Sequence, residues 1–392
     1  MDKKFGHIDW YILLPVVGLM LFSIAFVYSA SAPFAELKFG SKNTLFISHT
    51  IRIILGLITL VIFAKIDYHF WAKISKLILV IAIGLLAFVL FGGEEMKGAS
   101  RWINLGFFKF QPSELAKFAL VLHLSVLLAR KQEVIKDFKN GMFPLLLWSG
   151  IVVFLILLQP NHSTAFIILL ISIIMMFVGN VNLLHLGGLS IIGFGILGSY
   201  AVVAKYPMQR ISAFLGMAKS SEIVQVFNYQ LQQSLIALGN GGIFGLGPGQ
   251  SRQAALFLPE SYGDFIYSII GEEYGFIGAA IIILVFVLIL WRGMIVAKNA
   301  PDNLGYFLAF GIIITLSIYA FVNAGVNSGL LPTTGLPMPF ISYGGTAVLF
   351  HAAAVGVLLN ISAQAGVYYV EEPGIIPNVE QQEQQTLPSE EQ

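Results

Sequence analysis

The chain has 392 residues, 57% of them hydrophobic and only 11% charged, with a mean hydropathy of +0.82. A soluble domain carries about 25% charge, so the composition excludes a soluble enzyme and predicts an all-α integral membrane protein. A net charge of +1 offers no basic surface for nucleic acid, and the absence of Cys removes disulfides and thiolate metal sites.

Apolar runs of roughly 17–25 residues, the length that crosses a bilayer, recur along the chain. They predict ten spans, near 11–31, 46–64, 76–93, 113–130, 142–160, 163–180, 186–204, 266–291, 305–324 and 343–365, with one large outer loop between the seventh and eighth. The first run, Tyr11 to Ser31, lacks a small-residue cleavage site and reads as a retained helix. An even number of spans puts both termini on one side. With the termini inside, the inner segments hold Lys3, Lys4, Lys65, Lys73, Lys76, Arg130, Lys131, Lys136, Lys139, Arg292 and Lys298. The short outer loops hold only Lys38, Lys42, Lys97, Arg101 and Lys109. The long outer loop adds Lys205, Arg210, Lys219 and Arg252, but long loops weigh little in orientation. The bias predicts cytoplasmic termini in a multi-pass plasma-membrane protein. Residues 1–370 form one membrane domain, and the Glu-, Gln- and Pro-rich segment Glu371 to Gln392 reads as a disordered cytoplasmic tail.

The predicted outer face carries the unusual chemistry. Its segments are KGASRWINLGFFKFQPSELAK from Lys97 to Lys117, the loop from Lys205 to about Phe265, and NAGVNSGLLPTTGLPMPFISYGGT from Asn323 to Thr346. In the long loop, Ile223 to Leu238 has apolar residues at helical spacing with Gln on the other face, which predicts a helix at the interface or over a cavity. Asn240 to Gln250, NGGIFGLGPGQ, has five glycines that permit tight turns and close backbone approach. It follows no strand and is no Walker motif, so nucleotide binding is disfavoured. No internal repeat signals an inverted-repeat transporter.

Four acids crowd the start of the eighth span: Glu260, Asp264, Glu272 and Glu273. Charge at that depth is expensive and marks a functional site by default. Asp264 sits near a helix N-terminus, where an acid serves either as a cap or dipole partner or as a general base at the membrane–water boundary. Glu272 and Glu273 lie about two turns deeper, and one of them is expected to pair with a cation across the bundle. Glu114 and Lys117 stand one turn apart after the helix start at Pro112 and Ser113, as a local ion pair or as a polar pair facing a cavity. Arg101 and Arg210 read as solvated charge or as a clamp for pyrophosphate or anionic lipid. Arg52, inside the second span, requires a carboxylate or carbonyl partner. His123, His162 and His351 have no metal-ligand spacing. These residues suit an enzyme acting on a lipid-linked phosphate, an ion-coupled transporter or a lipid flippase.

In RWINLGFFKFQPSELAK, GGIFGLGPGQS, LPESYGDFIYSIIGEEYGFIG and GLLPTTGLPMPFISYGG the chain resembles the SEDS family (shape, elongation, division and sporulation), the group of FtsW, RodA and SpoVE. The motifs keep the family's order and spacing over nearly the whole chain, and GLGPGQS looks more like the FtsW and SpoVE branches than RodA. The resemblance implies a peptidoglycan glycosyltransferase for cell division or cell shape. It would polymerise lipid II on the outer face of the membrane with a class B penicillin-binding protein, a transpeptidase, and other division or elongation proteins as partners. It places the essential acid on Asp264, and maps the QPSELAK motif onto Gln111, Glu114 and Lys117 and the RWI arginine onto Arg101. The family's QPD acid is here Asn161, after Gln159 and Pro160, and Tyr262 and Gly263 replace the common His and Thr before Asp264.

The implied reaction turns an α-linked pyrophosphate into a β-1,4 bond, so one inverting displacement suffices. It needs one base, assigned to Asp264, and positive charge on the leaving undecaprenyl pyrophosphate, assigned to Lys117, Arg101 and Arg210. Glu260, Glu272, Glu114, Gln111 and Asn161 are then supports. No cofactor is implied. A divalent cation such as Mg2+ or Mn2+ can assist the leaving group, but no ligand set is readable. The rival reading is a flippase or transporter that moves lipid II without polymerising it.

Overall fold

The computed structural model describes residues 7–96, 99–104, 106, 109–203, 205–215, 222–255 and 257–365. The tail from 371 onward, Lys97 and Lys219 lie outside the described residues. Each of the ten predicted spans contains a helix: α1 (Trp10–Phe39), α2 (Asn43–Lys65), α3 (Tyr68–Gly92), α4 (Pro112–Arg130), α5 (Phe143–Leu158), α6 (His162–Val178), α7 (Leu183–Val203), α10 (Ile266–Lys298), α11 (Asn303–Asn327) and α12 (Ala347–Ala365). Eight of these helical segments are long and apolar enough to cross a membrane, while α6 and α7 contribute shorter apolar helices. The chain is a multi-pass α-helical membrane protein.

Several helices outrun the apolar runs that predicted them, because capping rather than hydropathy sets their ends. Asp67 starts α3 at Tyr68 instead of 76 by accepting from His69 N at 2.9 Å. Asp302 starts α11 by accepting from Gly305 N at 2.7 Å, and Gly40, left-handed at φ 71°, closes α1. Segment 343–365 becomes helical only from Ala347; ahead of it, Tyr343 N donates to Tyr262 O at 2.9 Å.

The long loop between α7 and α10 folds into α8 (Lys205–Phe214) and α9 (Glu222–Gly241), and α9 contains the helix expected at 223–238. The all-α expectation needs one amendment. A small antiparallel sheet, β1 (Glu94–Met96), β2 (Ala99–Asn104) and β3 (Lys109–Phe110), lies before α4, with Glu94 opposite Trp102 and Ile103 opposite Phe110. β1 and β3 are too short for alternation to register in the sequence, and ASRWIN in β2 does not alternate.

Burial sorts the helices into a core and a ring. In α4, α11 and α12, 83%, 72% and 89% of the most apolar window is buried, against 28–39% in the other five long segments. The three enclosed helices are also the least apolar of the eight. Lipid supplies no hydrophobic drive between helices, so the interior of a membrane bundle is where small and polar residues belong. The polar side chains of α4, α11 and α12 are therefore packed against protein.

Helix α10 is kinked at Gly275, whose φ of 69° and ψ of −167° only glycine adopts at low cost. A Cβ on Gly275 would sit 2.4 Å from both Gly245 N and Ile243 O, and one on Gly245 would sit 2.2 Å from Glu273 O. The glycine-rich loop thus lies backbone to backbone on the kink, with Leu246 N donating to Glu272 O and Gly247 N to Glu273 O, both at 2.9 Å. Its glycines serve this close approach.

Candidate active site

Pro259 to Phe265 forms a tight turn ahead of α10. Glu260 is left-handed at φ 59°, and its carbonyl accepts from Gly263 N at 2.9 Å and Phe265 N at 3.2 Å. The N-cap of α10 is Phe265, with no side-chain cap bond. Three neighbours hold the turn by its backbone. From α11, Asn323 Nδ2 and Asn327 Nδ2 donate to Asp264 O at 2.8 and 2.9 Å. From the segment before α12, Ser342 Oγ donates to Gly263 O at 2.8 Å and Tyr343 N to Tyr262 O at 2.9 Å. Ser261 Oγ reaches Ala30 O of α1 at 2.9 Å. The turn is over-determined while the Asp264 side chain stays half-buried.

The facing element is the strap Thr333–Leu336 between α11 and α12. Arg210 of α8 donates through Nη1 to Thr334 O at 2.8 Å and Thr333 O at 3.2 Å, and its guanidinium stacks over Phe227 of α9 at 5.1 Å. Gly335 is left-handed at φ 73°. A Cβ built on it would meet Asp264 Oδ2 at 3.4 Å and Arg210 Nη2 at 3.7 Å. A carboxylate and a guanidinium thus converge on one point that a missing side chain keeps open.

Arg101 of β2 donates to Gln159 O at 3.1 Å and also to Pro160 O, fixing the corner between α5 and α6. Asn161, at that corner, is 8% exposed. Ser163, two residues on, meets Arg210 Nη1 at 3.5 Å, so Arg101 and Arg210 flank one corner. The backbone N–H of Gln111 donates to Thr346 Oγ1 at 3.1 Å, which ties the start of α4 to the rim of the same site.

Glu114 and Lys117 are enclosed beneath this rim. Their side chains are 5% and 3% exposed and paired at 2.8 Å. Lys117 Nζ also lies 3.3 Å from His351 Nε2 of α12 and 3.9 Å from the ring centroid of Tyr319 of α11. Lys117 is thus neutralised inside the three-helix core, where leaving either charge alone would be costly.

The expectation that Glu272 or Glu273 pairs with a cation is corrected. Glu272, fully buried, accepts from Ser251 Oγ at 2.5 Å, Gln253 N at 3.1 Å and Asn240 Nδ2 at 3.3 Å. Glu273 accepts from Ser29 Oγ of α1 and from the backbone of Gly249 and Ser251. Hydroxyls and amides can satisfy a buried carboxylate as a cation would, so both acids anchor the glycine loop. Among the described residues Arg52 likewise finds neither carboxylate nor carbonyl but the face of Tyr343, 4.4 Å from its centroid. Tyr262 packs edge-on against Tyr343 at 5.6 Å. Burial pushes the Tyr262 phenol well up, and Glu260, Tyr343 and Asp264 add to the shift, so it stays neutral beside the acids. Among the described residues no cluster of three or more His, Asp and Glu side chains is arranged to hold a metal ion.

The family model described as "Cell cycle protein", for FtsW, RodA and SpoVE, matches residues 9–366. The chain belongs to the FtsW/RodA/SpoVE family. Among its relatives, stage V sporulation protein E of Bacillus subtilis (strain 168) is 40% identical over 358 residues, covering 90% of this chain and 96% of that protein. The probable peptidoglycan glycosyltransferase FtsW of Geobacter sp. (strain M18) is 38% identical over 358 residues, covering 91% and 97%. A solved structure reported under "Structural coordination of polymerization and crosslinking by a peptidoglycan synthase complex" superposes with a TM-score of 0.73 at 25% identity, over 91% of this chain and 98% of that one.

In this member of the family, then, Asp264, Glu260 and Arg210 gather at the turn before α10, Arg101 and Asn161 at the adjoining corner, and Glu114 and Lys117 below. Gln111 joins the rim, and Glu272 supports from the loop side. Asn323, Asn327 and Gly335 were not singled out by the sequence reading. The Asn-x-x-x-Asn spacing in NAGVN puts both amides on one helix face and was the available signal.

Proposed function

We propose that this chain is a peptidoglycan glycosyltransferase that polymerises lipid II at the outer face of the bacterial plasma membrane. The observation that carries the reading is the convergence of Asp264 and Arg210 on the gap at Gly335, joined to the names borne by FtsW relatives over nearly the whole chain. An inverting transfer needs one base and one cationic site, and this is that pair. Asp264 takes the proton of the acceptor N-acetylglucosamine 4-hydroxyl as its oxygen bonds to C1 of the donor N-acetylmuramic acid. The bond from C1 to the pyrophosphate oxygen breaks on the opposite face, giving the β-1,4 linkage and undecaprenyl pyrophosphate.

Arg210 and Arg101 receive the charge developing on the leaving group. Lys117, enclosed with Glu114 and His351, contributes by holding the core beneath the site together. A divalent cation such as Mg2+ or Mn2+ can assist the leaving group, although among the described residues no three His, Asp or Glu side chains cluster to hold one. The polyprenyl tail remains in lipid, so the sugars meet the site from the membrane surface, with both termini cytoplasmic. A class B penicillin-binding protein would crosslink the product strand, a partnership supported by the likeness to a structure reported as part of a peptidoglycan synthase complex.

The test is purified protein in nanodiscs, with and without a class B penicillin-binding protein from the same organism, incubated with labelled lipid II. Polymer from the wild type and none from Asp264→Asn supports the reading. Transbilayer movement of lipid II without polymer overturns it in favour of a flippase.

A further inference from the structure

The outer end of α11 carries two asparagines that the mechanism above leaves unused. Asn323 and Asn327 are 1% and 0% exposed. An uncharged amide at such a place is tolerated only when its donors and acceptors are matched. The amide nitrogen of Asn323 has two hydrogens, and its two bonds go to Asp264 O and Leu336 O, each at 2.8 Å. The first is the carbonyl of the residue assigned as base. The second belongs to the residue after Gly335. One nitrogen therefore ties the turn that carries the acid to the strap it faces.

The rest of the network stiffens this link. Asn327 Nδ2 reaches the same Asp264 carbonyl at 2.9 Å and also Asn323 O at 2.9 Å. Its Oδ1 accepts from Ser268 N at 3.1 Å and Ser268 Oγ at 2.7 Å, in the first turn of α10. On the far side of Gly335, Arg210 grips Thr333 O and Thr334 O. The strap is held before residue 335 by the proposed leaving-group cation and after it by Asn323.

We propose that Asn323 is a positioning residue for glycosyl transfer, setting the separation between the Asp264 carboxylate and the Arg210 guanidinium across Gly335 without touching substrate. The proposal rests on the function assigned above. Loss of Asn323 removes the direct tie between the strap and the turn, and a displacement of about 1 Å at reacting groups costs on the order of a hundredfold in rate.

The experiment compares wild type, Asn323→Ala, Asn323→Ser and Asn360→Ala, each as the full chain in nanodiscs, by lipid II polymerisation kinetics, thermal unfolding and pH–rate profile. Asn360 is a matched control: it is 1% exposed and donates to Ala64 O at 2.9 Å at the other end of the bundle. The expected result is a drop in kcat of about a hundredfold in both Asn323 variants, with KM held within a factor of about three. The acid limb of the profile also moves to higher pH, because the carboxylate stands further from the cation that favours its charged form. Asn360→Ala lowers the melting temperature with kcat and the acid limb unchanged. Equal kcat losses in Asn323→Ala and Asn360→Ala, or an unmoved acid limb, overturn the proposal. Failure of both Asn323 variants to fold assigns the residue to bundle stability and overturns it too. Active Asn323 variants beside an inactive Asp264→Asn defeat the positioning role alone, whereas a wild type that makes no polymer defeats the functional reading itself.

Discussion

Gly335→Ala separates the role of the gap from the conformational demand on the residue that leaves it. Gly335 has φ 73°, and Gly40, at the end of α1, has φ 71° with nothing within 4 Å of a built Cβ. Alanine at either position takes on the left-handed cost of about 1–2 kcal/mol. Only at 335 does the methyl enter the site, 3.4 Å from Asp264 Oδ2 and 3.7 Å from Arg210 Nη2. A hydroxyl delivering its proton to Asp264 must come within roughly 2.6–3.2 Å of the carboxylate, so the methyl occupies the same approach. Both variants should lose similar stability in thermal unfolding. Gly335→Ala alone should lose about a hundredfold or more in kcat/KM for lipid II, equivalent to about 2.7 kcal/mol of transition-state stabilisation. Equal activity in the two variants would refute the reasoning that the gap at 335 is the reaction space.

The other predictions concern the buried pair and the neutral phenol. Lys117→Ala should be far more harmful than Lys219→Ala, because it strands Glu114 in the core at a cost of about 3–5 kcal/mol; equal, mild effects on folding yield and polymerisation would remove Lys117 from the account. Tyr262 has its phenol pushed up in the folded state, so its contribution to stability is present below about pH 10, the unfolded value, and is lost as pH rises through the folded one. Unfolding measured from pH 9 to 11 should show Tyr262→Phe less sensitive to the rise than wild type, and identical slopes would contradict the assignment.

The spans were legible because a bilayer imposes one length on every apolar run, and α9 because its Gln-bearing face repeats at helical spacing. Asp264 was legible for a related reason, since a carboxylate at the start of a membrane helix has few inexpensive explanations. What escaped was set by contacts between distant segments. Nothing local distinguishes Gly335 from other glycines until Arg210, over a hundred residues earlier, closes on the same point. Glu272 and Glu273 looked like partners for cations, yet the glycine loop, the residues just after it and Ser29 of α1 supplied enough hydroxyls and amides to satisfy both. Arg52 was expected to require an oxygen, and the face of Tyr343 took that place. The sheet before α4 is built from two very short strands and from ASRWIN, which does not alternate.

Polymerisation of labelled lipid II by the purified full chain and by Asp264→Asn, at matched folded fraction, tests the central claim most directly. The account predicts glycan strands from the wild type and none from the variant, with the variant still folded and inserted. An Asp264→Asn protein that polymerises at the wild-type rate would contradict it.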